Sequence, residues 1–237
     1  MNTVTMTRLE RIEALYEPVD WAFAREQRSE IEAHWRKISA EKPALFNGIV
    51  LMQHRWSLDK GIYRTAYAPV DYASFTAWIR FGQPGTPRRN GFAMGALRAA
   101  DGAFLLGVMG PHTFNAGKVY FPAGTPDMSD VTSANEVDLA TSAIRELTEE
   151  TGLLPEELQI GSHWTLVTES FRCAFMKSVQ VNHDADTARK LILKRLKQDT
   201  DGELSDIVIV RSPADINEAM TPDFAKAYMR AAFEGAV

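Results

Sequence analysis

The sequence predicts an α+β fold, and three observations predict it. β-rich runs and amphipathic helical runs are interspersed along all 237 residues instead of falling into one class. Gln83 to Asn90, with two prolines and a glycine, interrupts every period; it divides the chain into an N-terminal piece, 1–88, and a larger domain, 89–237. Finally, residues 138–153 read as one helix with an apolar stripe beside an acidic one.

Composition narrows the class. The chain is long enough to bury a substantial core, and its net charge of −5, without a Lys/Arg-rich run, argues against a nucleic-acid partner. Cys173 is the single cysteine, which excludes an internal disulfide. Met1 to Asp20 lacks an apolar core of the signal-peptide kind, and no stretch approaches a membrane span. A cytoplasmic protein with no membrane partner is expected.

Along the chain, Asp20 to Lys42 reads as a docking helix, with Trp21, Ala24, Ile31, Trp35 and Ile38 on one face and Asp20 as its cap. Ile49 to Leu58 and Ile62 to Tyr67 read as strands joined at Asp59-Lys60-Gly61, and Val70 to Phe81 as a helix. Beyond the linker, Gly91 to Arg98 and Ala103 to Met109 form a hairpin across Asp101-Gly102, and Lys118 to Phe121 is a short strand. Trp164 to Val181 supplies one or two strands, Asp186 to Lys197 a helix and Glu203 to Arg211 a strand. A last helix follows Thr221-Pro222, read as cap and first helical position.

The helix at 138–153 carries the chemistry. Glu146, Glu149 and Glu150 stand at i, i+3 and i+4, so their carboxylates share one patch. Ala140, Ala143, Ile144 and Leu147 form the neighbouring buried stripe, and Arg145 sits one turn before Glu149. Like charges at this spacing, close to the negative helix C-terminus, call for a cation. Oxygen ligands without Cys or His point to Mg²⁺ or Mn²⁺.

Arg145-Glu146-Leu147-Thr148-Glu149-Glu150-Thr151-Gly152-Leu153 resembles the right half of the Nudix box, and Phe121-Pro122-Ala123-Gly124 resembles the loop that enters it. The left half departs: Val137 stands where the family has a glutamate and Val131 where it has a glycine, with acids only at Glu136 and Asp138. A longer loop between Gly124 and the helix accounts for this. The resemblance implies a Nudix fold, an α/β/α sandwich with a mixed β-sheet, here with an N-terminal helix and β-hairpin extension.

It also implies a metal-dependent hydrolase that cleaves the diphosphate linkage of a nucleoside diphosphate derivative. Glu146, Glu149 and Glu150 would be the Mg²⁺ (or Mn²⁺) ligands, with Glu149, Glu150 and Arg145 in the catalytic set, Arg145 orienting a glutamate. Gly124 and Gly152 would shape the loops on either side of the cofactor. Members often recruit a downstream glutamate as ligand or base; Glu203, in Asp201-Gly202-Glu203-Leu204-Ser205-Asp206, is the candidate, against a solvated turn acid. Asp206 and Glu169 are weaker candidates.

The remaining residues say less. His34, His54, His112, His163 and His183 lack ligand spacing, and Cys173, between Phe171 and Phe175, reads as a buried inert thiol. Trp56, Tyr63, Tyr67, Tyr72, Phe75 and Trp78 read as core, against a base-stacking or homodimer surface. The family's string for NADH substrates and its proline for ADP-ribose substrates are absent. Lys42-Pro43-Ala44-Leu45-Phe46-Asn47-Gly48 is faintly similar to Nudix UDP-sugar diphosphatases. A nucleotide sugar is the first expectation and ADP-ribose the second; the alternative is a catalytically weak module that binds a nucleotide as a sensor.

Overall fold

The computed structural model describes residues 3–197 and 202–237; Asp201, in the segment before Glu203, lies outside the described residues. Strands β1 (Val4–Leu9) and β2 (Arg11–Tyr16) precede helices α1 (Ala22–Glu26) and α2 (Arg28–Glu41). β3 (Ile49–Asp59), β4 (Ile62–Asp71), α3 (Tyr72–Arg80), β5 (Asn90–Ala99) and β6 (Phe104–Met109) follow. Two short strands, β7 (Val119–Tyr120) and β8 (Ala123–Gly124), lead to the glutamate helix α4 (Leu139–Thr151). Then come β9 (Leu158–Glu169), β10 (Arg172–Val181), α5 (Ala185–Leu196), β11 (Leu204–Val210) and α6 (Asp223–Phe233).

The large sheet has the order β1-β9-β10-β5-β6-β11, with β7 added to β6 and β8 to β5. β10 runs parallel to β5 from Arg172↔Asn90 to Val181↔Ala99 and antiparallel to β9, so the sheet is mixed. Side chains of β5 alternate between its faces. Phe92 reaches α6, its ring 5.5 Å from that of Phe224, whereas Gly95 faces α4, where an added Cβ would sit 2.5 Å from the Leu147 side chain.

β2-β4-β3 form a smaller sheet. Lys60 and Gly61 take φ of +45° and +77° at its hairpin turn, the pair of left-handed residues a two-residue loop needs. Leu9, Leu51, Tyr63 and Tyr67 pack in one cluster with Ala143, Trp164 and Phe175, so the two sheets share a core. Near the end of the linker, Arg89 exchanges backbone hydrogen bonds of 2.9 and 3.0 Å with Gln53.

Three local expectations change. β1 and β2 lie in a stretch for which no strand was expected; β1 draws its pairing from β9, from Val4↔Glu169 to Leu9↔Trp164, a partner remote in sequence. Trp21, not Asp20, holds the cap position of α1, and Asp20 pairs with Arg25 instead. Pro222 takes the cap position of α6, displacing Thr221, and the helix begins at Asp223.

Candidate functional site

α4 begins where the Asp138 carboxylate accepts hydrogen bonds from the amides of Ala140 and Thr141, at 3.1 and 3.0 Å, and ends at Gly152 with φ +67°. Ala143 and Leu147 are fully buried, each such leucine contributing about 1.5–3 kcal/mol. Seating that stripe sets the rotation of the helix and turns Glu146 and Glu150 towards β8.

Glu150 is only 7% exposed. Its Oε1 accepts a hydrogen bond from the Ala123 amide at 3.2 Å, while Oε2 is buried and, among the described residues, has no hydrogen-bond partner. Burial, and next the charge of Glu203, hold this carboxyl well above the usual range. The Glu146 carboxylate lies in the space that a Cβ on Gly124 would take. Burial pushes it up to about 7; Arg145 opposes the shift, and Glu149, Asp130 and Glu203 add to it. A site that resists the charging of two carboxylates is one that a cation relieves.

Glu203 stands exposed at the entry to β11, its carbonyl accepting the Gly110 amide at 2.7 Å, and its charge bears on both Glu146 and Glu150. Glu149 points outward, its side chain 60% exposed. Arg145 ties the group together, with contacts of 2.8 Å to Glu146, 3.3 Å to Glu149 and 3.0 Å to Asp130. Asp130 was not expected. It sits in a 3₁₀ turn, Met128–Asp130, and is 6% exposed; its other oxygen accepts the Asp127 amide at 3.0 Å. An Asp-x-x-Asp cap was readable in the sequence, but its pairing with a helix fifteen residues on was not.

The stretch where the resemblance breaks off is packed into the fold. Val137 is buried, its amide donating to Ala14 at 2.9 Å, and it bridges to Val131. Of the flanking acids, Asp138 is the helix cap and Glu136 is exposed. Gly152 ends the helix, and a Cβ added there would meet the side chain of Arg195. Asp206 pairs with Arg189 at 2.8 Å, whereas Glu169 lines a cleft together with Gly124.

Two clefts meet at Asn115, Tyr120 and Ala123, over the Ala123 amide that holds Glu150. One, about 420 Å³, is polar and carries Asn90, Lys118, Glu169, Arg172 and Lys226. The other, about 630 Å³, carries Phe46, Tyr72, His112, Phe114 and Glu203. Of the aromatic stretch, Tyr63, Tyr67, Phe75 and Trp78 are core, and Tyr72 faces a cleft.

Among the described residues no three His, Cys, Asp or Glu side chains form a ready-made metal cage. Mg²⁺ does not require one: it keeps several waters and binds through one or two carboxylates and substrate phosphates. The unpartnered Oε2 of Glu150 and the Glu146 carboxylate under Gly124 suit such an ion. Among the described residues no helix is long and apolar enough to cross a membrane.

No protein family and no curated protein matches the chain. Among solved structures it is similar to a Nudix hydrolase from M. smegmatis, RenU, at 18% identity and a TM-score of 0.41, over 64% of this chain and 90% of that one. At that overlap the likeness assigns no role to any residue here.

Proposed function

We propose that the protein is a Nudix-type hydrolase cleaving the diphosphate linkage of a nucleoside diphosphate derivative, a nucleotide sugar or ADP-ribose. Mg²⁺ or Mn²⁺ would be held by Glu150 and Glu146, with Glu149 at the outer edge. The observation that carries this reading is the buried Glu150 carboxylate, with one oxygen unpartnered among the described residues and with Glu146 and Glu203 as like-charged neighbours. Bound there, a divalent cation offsets phosphoryl charge and acidifies a water. Arg145, held by Asp130, orients Glu146 and Glu149. Glu203, whose charge bears on the same group from the entry to β11, is the residue to accept the proton of the attacking water. The partner is a small molecule, the setting cytoplasmic, and nucleic acid and membrane play no part.

The test is a panel of nucleotide sugars, ADP-ribose, dinucleotides and CoA incubated with each metal, with products identified by mass. Metal-dependent release of two phosphomonoester halves from wild type, and none from Glu150→Gln, is the expected result. Equal turnover in the variant would overturn the reading. One observation favours a second reading, a nucleotide-binding sensor: Val137, buried in the core, leaves the upstream acid of the box without a counterpart. That reading expects ligand-induced stabilisation without products.

A further inference from the structure

Phe46 is 82% exposed and Phe114 is 46% exposed, a large apolar area to leave in water at one place. They are not scattered. Both line the cleft of about 630 Å³ that also carries Tyr72, Tyr120 and Glu203. The Tyr72 and Phe114 rings stand edge to face, 6.4 Å apart. Lys42 Nζ donates to the carbonyls of Thr113 and Phe114 at 2.7 and 3.2 Å, which joins the lip before β3 to the loop before β7. An added Cβ on Gly48 would sit 3.2 Å from the Phe46 ring.

Position says what such a cleft can hold. It is continuous with the carboxylate site through Ala123, whose amide holds Glu150, and through Glu203. The polar cleft on the other side of Ala123 carries Lys118, Arg172, Lys226 and Asn90; its aromatic rings, Phe92, Tyr120 and Phe224, are buried, so the groups it presents suit hydroxyls and charge. A diphosphate at the glutamates thus has one arm directed along aromatic faces and the other along polar groups. The continuity argues for the same small molecule in both clefts, not for a second protein laid over one of them.

We infer that the cleft walled by Phe46, Tyr72 and Phe114 takes the heteroaromatic base of the substrate. This rests on the reading of the glutamate site as a diphosphate hydrolase, and it makes these three side chains, two of them from the N-terminal part, specificity determinants. Stacking on an aromatic face tolerates different bases, because every base presents a π-face.

Two measurements test it. Adenosine and uridine, which carry no phosphate, are titrated into the metal-free protein and followed by saturation-transfer NMR. The base protons should receive saturation in wild type and in Phe46→Tyr, with affinity about tenfold weaker in Phe46→Ala and Phe114→Ala. No saturation in wild type, or equal affinity in all four proteins, would overturn the inference. In parallel, the ratio of kcat/KM for a nucleotide sugar to that for a ribose diphosphate lacking a base should fall about tenfold in both alanine variants. Hydrolysis with an unchanged ratio rejects the base cleft alone; nucleoside binding without hydrolysis of any diphosphate rejects the hydrolase reading alone. Both phenylalanines are exposed, so thermal unfolding controls for folding. A wild-type dimer that Phe46→Ala dissociates, with nucleoside binding unaltered, would make the cleft an interface and sink the proposal.

Discussion

The carboxylate of Glu146 occupies the space above Gly124 that any side chain there would need. The glycine is therefore a condition for the position of that carboxylate, and β8 and α4 meet at that point.

Gly124→Ala tests this directly. The obstructing atoms are the far end of a flexible side chain, so the fold should survive with a loss of about 1 kcal/mol or less. Glu146 must swing away, however, and a misplacement on the order of 1 Å can cost about a hundredfold in rate. Steady-state kinetics with a nucleotide sugar and Mg²⁺ should show that fall while the far-UV spectrum is unchanged.

Glu150→Gln should separate stability from function. Glu150 is buried among like charges, so the neutral isostere should raise the Tm of the metal-free protein at pH 8. A gain of about 1 kcal/mol corresponds to roughly 2–4 °C in a chain of this size. The same variant should lose the stabilisation that Mg²⁺ brings to wild type. A lower Tm with metal response intact would contradict the assignment.

The pH dependence follows from Glu146. Its folded value, about 7, lies above the ordinary 4.5, so the fold favours the protonated form. The stability this contributes is full below about 4.5 and is lost as pH rises through about 7. Metal-free wild type should lose Tm across that window more steeply than Glu146→Gln, and Mg²⁺ at pH 8 should restore it. Parallel curves for the two proteins would refute the shift.

Asp130→Asn keeps the shape of the Arg145 contact and removes its charge. Arg145 is about a third exposed, so a loss near the lower end for charged hydrogen bonds, about 1.5 kcal/mol, is expected. With its inner anchor weakened, Arg145 should hold Glu146 and Glu149 less well. A fall of about tenfold in kcat, read beside the denaturation midpoint, is the expected outcome.

Gly152→Ala should cost about 1–2 kcal/mol, because residue 152 adopts φ +67° and the left-handed region penalises a Cβ. The added atom would also come within 2.9 Å of Arg195 Cβ. Chemical denaturation would show the loss, and it should be the same with and without Mg²⁺, since the glycine ends the helix and touches no carboxylate among its nearest neighbours.

Much of this protein is determined locally, and that part was legible in the chain. The i, i+3, i+4 spacing of Glu146, Glu149 and Glu150 and the stop at Gly152 follow from helical geometry alone, and the structure forms that helix from Leu139 to Thr151. The hairpin at Lys60-Gly61 needed only two residues that accept positive φ. The mixed set of strands and helices followed from periodicity, which is a property of neighbours in sequence.

Tertiary structure decided the rest, because its causes lie far apart in the chain. Val4 to Leu9 has no apolar run of its own and becomes a strand by pairing with residues 164–169. Val137 is buried in the core, its amide held by the carbonyl of Ala14, more than a hundred residues earlier in the chain. Asp130 joins the site only because a turn folds it against Arg145. Which of the glutamates turns inward, which carboxyl resists its charge, and that Phe46 and Phe114 share one cleft all depend on burial. Burial is set by what packs across the sheet and not by what adjoins along the chain.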